Sequence, residues 1–152
     1  MRAPLEQNYR RCSAIFLLMD GFVFAGERYD IPGAWQIPQG GVEDSEEYFE
    51  AAVRELYEET GVKSTKFIKC TRGVYKYDFP VNIRKHRKYL GQQVKFFVFE
   101  FIGSDSEINL QMSGAREFSA WKWISPGDLL CSVIEFKKEA FSRAMRELAL
   151  EA

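Results

Sequence analysis

Gly40 to Val62 reads GGVEDSEEYFEAAVRELYEETGV, and the placement of its apolar and acidic residues governs the reading of the whole chain. Phe49, Ala52, Val53 and Leu56 recur at helical spacing and form one apolar stripe. Asp44 or Ser45 is suited to cap the N-terminus, with acids following in the first turn, where the macrodipole favours them. Gly61 suits the left-handed position that ends a helix. At about 100° per residue, Glu55, Glu58 and Glu59 share a second face, within roughly 100° of one another. Like charges four residues apart oppose a helix by about 0.2–0.5 kcal/mol. Acids in the last turn oppose its dipole by about 0.3–1 kcal/mol each, and Arg54 relieves only part of this. One reading is a solvated acidic face. The other is a platform for a divalent cation, because hard carboxylate oxygens suit Mg²⁺ or Mn²⁺.

Composition sets the outer limits. A chain of 152 residues is expected to form one domain, 1–152, with a substantial core. Its 46% apolar and 15% aromatic content fits a globular fold and excludes a disordered one. Cys12, Cys70 and Cys131 lack metal-type spacing and read as reduced thiols of a cytoplasmic protein. The single histidine, His86, cannot build a His-rich zinc site, and its basic loop marks it as surface rather than catalytic. A net charge of −1 argues against indiscriminate binding of DNA or RNA; any such contact must be local. Arg10-Arg11 and the apolar run from Ala14 to Met19 resemble an export signal only faintly. Two strands joined at Asp20-Gly21 explain them better, and no stretch is long enough to span a membrane.

Outside the acidic helix, Phe67 to Tyr77 reads as one or two strands, Val94 to Ile102 as a buried strand and Glu117 to Ile124 as another. Ser125-Pro126 starts a helix, with Pro at its first position. From Val133 onward Phe136, Ala140, Phe141, Ala144 and Leu148 mark a C-terminal amphipathic helix. Strands and helices therefore mix around one sheet, with helices expected on both sides. Periodicity alone gives α+β or α/β.

Within residues 40–62, Gly40, Glu46, Arg54-Glu55-Leu56, Glu58-Glu59, Gly61 and Val62 stand at the spacing of the Nudix signature, and the chain resembles the Nudix hydrolases. Trp35 to Gly41 (WQIPQGG), Tyr77 to Pro80 (YDFP), Gly91 to Phe96 (GQQVKF), Glu107 to Leu110, Glu117-Phe118 with Trp121 and Trp123, and Phe136 to Lys138 follow in order. In these it is similar to the branch comprising bacterial RNA pyrophosphohydrolases and the dinucleoside polyphosphate hydrolases. Two departures stand out. Arg11 occupies a position where those proteins usually carry proline, and the segment before Gly91 is short and basic.

The resemblance implies an α/β/α sandwich with a mixed sheet. It implies a Mg²⁺- or Mn²⁺-dependent hydrolase, with more than one ion when substrate is bound. The metal ligands it implies are Gly40, Glu55, Glu58, Glu59 and Glu117, with Glu58 or Glu55 as general base. Glu46 and Arg54 would support the metal loop by a salt bridge. Arg10, Arg28, Tyr77 and Lys95 would meet the phosphate chain or its surroundings, and Phe136 and Lys137 would flank an RNA base. For each of these six a solvated charge, a half-buried tyrosine or plain core packing is the competing reading. Arg84 to Lys88 form the one dense basic cluster, either a solvated loop or a guide for a polyanion. The implied substrates are 5′-tri- or diphosphorylated RNA ends or, as the alternative, diadenosine tetraphosphate. No membrane or DNA partner is expected, and a protein activator is left open. A non-catalytic sensor on the same fold would show a lost metal glutamate, and here all are present.

Overall fold

The structure, a computed structural model, describes residues 8–112, 114 and 117–150. Strand β1 (Tyr9–Met19) is buried on both faces from Cys12 to Leu17 and forms the axis of the molecule. It turns at Asp20-Gly21, both in the left-handed region (φ 52° and 83°), into β2 (Phe22–Arg28). The expected Asp-Gly hairpin is thus present.

Beyond Leu18↔Val23 the two strands separate. The short β4 (Gln39–Gly41) then lies antiparallel beside β1, from Cys12↔Gly41 to Ala14↔Gln39. The even shorter β3 (Trp35–Gln36) pairs with β2. On its other side β1 runs parallel to β7 (Gly91–Phe101) from Tyr9↔Gly91 to Leu18↔Glu100. Strands β5 (Thr65–Cys70) and β6 (Tyr75–Asp78) pair antiparallel with β7, and β8 (Phe118–Ile124) pairs antiparallel with β2. The sheet is therefore mixed.

Period-two alternation sends the aromatics of β1 and β7 to two separate cores. Phe16, Phe96 and Val98 pack with Leu129, Phe141, Ala144 and Met145 from α3 (Pro126–Ser132) and α4 (Lys138–Glu147). Ile15, Leu17, Phe97 and Phe99 pack with Ala52 and Leu56 from α1 (Tyr48–Thr60) on the opposite face. Helices on both faces make the α/β/α sandwich, an α+β arrangement. A fourth, four-residue helix, α2 (Val81–Arg84), precedes the basic loop.

Three local expectations need correction. Neither Asp44 nor Ser45 caps α1; Glu47 holds the extended N-cap position, and Glu50 reaches back to accept its amide N–H (2.8 Å). Phe49 and Val53 are 44% and 47% exposed, because the helix turns Ala51, Ala52, Leu56, Glu59 and Thr60 inward instead. Finally, Glu135–Lys137 is a 3₁₀ turn, so Phe136 lies outside the C-terminal helix, which starts at Lys138. Gly61 ends α1 as expected, with φ 76°. Ser125 accepts from the Asp128 amide at the start of α3 (3.1 Å). All three cysteines are unpaired, and among the described residues no helix is long and apolar enough to cross a membrane.

Candidate active site

A cleft of about 400 Å³ opens where β4 leaves β1, between α1 and the 3₁₀ turn at Phe136. Its chemistry is divided. Glu55, Glu59, Glu117 and Gly40 line one part, while Arg10, Arg28, Arg87 and Lys137 line another.

The acidic part is organised by backbone proximity. A Cβ on Gly40 would overlap the Glu55 carboxylate, so only glycine lets that carboxylate lie against the loop. Glu59 is 6% exposed and accepts from the Gln39 amide (3.3 Å). Burial pushes its carboxyl well above the usual range, and the adjoining Glu55 and Glu117 add to that. Two carboxylates meeting in a buried place are stable only with a proton or a cation between them. Hard oxygen donors of this kind suit a divalent cation. Among the described residues, no three His, Cys, Asp or Glu side chains already stand in a coordinating array. Glu55, Glu59 and the Gly40 carbonyl fit such an ion as a nucleus; Glu117 lines the same cleft and is exposed, while Glu58 is half-buried and does not line it.

Arg54 holds this nucleus from behind. It contacts Glu46 through Nε and Nη2 (2.7 and 2.9 Å), the Gly41 carbonyl (2.8 Å), Glu55 (2.8 Å) and Glu58 (3.3 Å). The guanidinium holds the Glu46 carboxyl down to about 2, and Glu46 in turn accepts from the Glu43 amide (3.0 Å). Glu46 and Arg54 thus form an ion pair (2.7 Å) beside the Gly40-Gly41 loop.

On the cationic part, Arg10 lies against Gly41, where a Cβ would overlap its guanidinium. Arg28 is paired with Asp30 (2.7 Å). Lys137 is 7% exposed, with its amine 3.4 Å from Gln36 Oε1; burial, helped by Arg28, lowers its pKa to about 8. Phe136 contributes a ring to the wall and is braced edge-on by Tyr77 and Phe79 at 5.8 and 6.1 Å. Beneath the site, burial raises the Cys12 thiol to about 11, which leaves it neutral and unsuited to nucleophilic attack.

Two of the residues expected at the phosphate chain are elsewhere. Tyr77 is buried behind the wall, where its hydroxyl binds Gln92 Oε1 and accepts from Gln39 Nε2 (2.9 Å). It positions two glutamines that do line the cleft. Lys95 follows the odd-numbered residues of β7 to the α1 face, where its amine lies over Phe97 (5.9 Å). From the basic cluster only Arg87 reaches the cleft, over the Phe79 ring (5.1 Å), and His86 is exposed. Sequence reasoning assigned no site role to Gln36, Gln39 or Gln92. Neutral side chains carry no charge signal that could have marked them.

The NUDIX domain profile matches residues 8–148. The chain is 37% identical to an RNA pyrophosphohydrolase of Wolbachia sp. subsp. Drosophila simulans (strain wRi), over 95% of this chain and 91% of that one. Among solved structures, the E. coli dihydroneopterin triphosphate pyrophosphohydrolase superposes with a TM-score of 0.71 at 19% identity, covering 91% of this chain and 98% of the other. A C. elegans Ap4A hydrolase does so with a TM-score of 0.64 at 18% identity, covering 92% and 98%. Likeness at that level of identity is a likeness of fold.

Proposed function

The chain belongs to the Nudix family, whose members hydrolyse phosphoric anhydrides with divalent metals, and on that premise we propose that it is an RNA 5′-pyrophosphohydrolase. It converts 5′-tri- or diphosphate ends to 5′-monophosphate and so starts decay of the transcript. The observation that carries this reading is the divided cleft, with converging carboxylates facing Arg10, Arg28, Arg87 and Lys137, together with relatives of that activity over nearly the whole chain. At about 400 Å³ the cleft lies low in the range of ligand sites, about 300–1,000 Å³. The three unpaired thiols fit action in the reducing cytoplasm.

In this mechanism Mg²⁺ or Mn²⁺ would be held by Gly40, Glu55, Glu58, Glu59 and Glu117. When bound, such ions neutralise the phosphate chain and acidify the attacking water. Arg10 and Arg28 bind the phosphate oxygens and hold the anhydride in line, and Lys137 offsets charge on the leaving side. Phe136 presents a ring to the first base. Water attacks phosphorus, the bridging P–O bond breaks, and the water proton passes to a carboxylate, Glu58 in preference to Glu55. A 5′-triphosphate end yields the monophosphate and pyrophosphate.

The test is a competition in Mg²⁺ between a 5′-triphosphorylated RNA and diadenosine tetraphosphate, read as kcat/KM. Preference for RNA is expected; preference for the dinucleotide would replace this reading with nucleotide clearance. On the preferred substrate Glu58→Gln is expected to lose about 10²–10⁴-fold in kcat with an unchanged melting temperature. Near-normal turnover would remove Glu58 from the chemistry.

A further inference from the structure

The strands that direct Arg10 and Gln92 toward the cleft send Arg11, Gln93 and Lys76 to the opposite face, because side chains alternate along a strand. Register sets Arg11 and Lys76 on either side of Gln93 in one row across β1, β7 and β6, and Lys95 lies two residues further along β7. With strands about 4.8 Å apart, the three Cα atoms lie within about 10 Å of one another. Arg11 lies over the Tyr48 ring (5.0 Å), Lys76 over Tyr9 (5.5 Å) and Lys95 over Phe97 (5.9 Å). Arg11 and Lys76 are exposed and Lys95 is half-buried.

Among the described residues, none of these cations forms an ion pair. Asp78, an acid in the next row of this face, is already engaged by the Tyr9 hydroxyl (2.6 Å) and by Arg84 (3.7 Å). Helix α1 begins at Tyr48, whose carbonyl accepts from Ser13 Oγ (2.7 Å), so the row at Arg11 lies beyond its cover. Cations left without acids and standing over ring faces contribute little to ion pairing or to the core. A positive field combined with aromatic faces is what a single-stranded nucleic acid binds.

We infer that this face is a second RNA-binding surface, which holds the single-stranded chain downstream of the 5′ end whose phosphates enter the cleft. The inference rests on RNA being the substrate. It uses none of the residues assigned to the chemistry. A dinucleoside polyphosphate is too short to use both surfaces.

Arg11→Gln/Lys76→Gln tests it with two substrates, a 5′-triphosphorylated dinucleotide and a 5′-triphosphorylated single strand of about 25 nucleotides. KM for the long RNA is expected to rise about tenfold, with kcat and the short substrate unchanged. Its dependence on log salt should weaken by about 1.4, at about 0.7 per lost phosphate contact, and adding Lys95→Gln should deepen both effects. Equal KM on the long RNA, or equal loss on both substrates, overturns the proposal. A second measurement separates it from the enzymatic reading: binding of a 25-nucleotide RNA with a 5′-hydroxyl, followed by fluorescence anisotropy. Wild-type binding that the double variant weakens supports the face even if triphosphorylated RNA is not hydrolysed. Absence of wild-type binding overturns it even if hydrolysis is fast.

Discussion

Lys137 is a cation that the fold has taken out of water, with its amine near Gln36 and its pKa lowered from 10.5 to about 8. The unfolded chain binds more protons than the folded one between about pH 8 and pH 10.5, so stability rises with pH across that window. Below it, the buried charge costs up to about 3 kcal/mol. Lys137→Met, of similar length and without charge, is therefore expected to melt higher than wild type at pH 7. That advantage should fade as pH rises toward and past 10.5, above which wild-type Lys137 is neutral in both states. A series of thermal melts checks it, and an advantage independent of pH would mean that the amine titrates alike in the folded and unfolded chain. At this scale the sequence was partly legible. Glu55, Glu58 and Glu59 could be grouped because helical spacing is local, whereas Lys95 could not be assigned to a face, since alternation fixes two sides without saying which one holds the cleft.

Helix α1 and the loop before it work as one element because Arg54 joins them. Its guanidinium reaches Glu46, Gly41, Glu55 and Glu58 together, which a planar five-donor group does and an ammonium cannot. Arg54→Lys keeps the charge but is expected to lose about 1.5–3 kcal/mol and to weaken divalent-cation binding, measured by denaturant unfolding and by titration calorimetry with Mn²⁺. Unchanged stability would show that water replaces those contacts without loss. The salt bridge was implied by the resemblance, but the helix start was not legible. Asp44 and Ser45 are good caps in isolation, yet Glu46 and Gly41 are tied to Arg54, which fixes the loop and leaves the cap to Glu47.

Across the whole molecule, β1 and β7 serve both cores, so the two helical layers share one support. Phe16 is fully buried, stacked on Phe96 (5.5 Å) and edge-on to Phe141 (6.2 Å). Phe16→Ala is expected to cost about 3–5 kcal/mol. Trp121 and Trp123 pack against the opposite core and Trp35 against the mutated one, so tryptophan fluorescence reports on both layers. Fluorescence and far-UV circular dichroism should still unfold together. Separate midpoints would mean that the layers are independent units.

Neighbours a few residues away suffice to specify helix α1, its glycine end, the Asp20-Gly21 hairpin, and strands at β7 and β8. The chain's resemblance to the Nudix hydrolases placed those elements in a sandwich. Folding in three dimensions sets the insertion of β4 beside β1, the departure of Phe136 from the helix to form a wall of the cleft, the burial of Lys137 and the place of Tyr77 behind the site. Each is a contact between segments distant in the chain, chosen by which layer covers which face of the sheet. Local spacing carries no information about that choice.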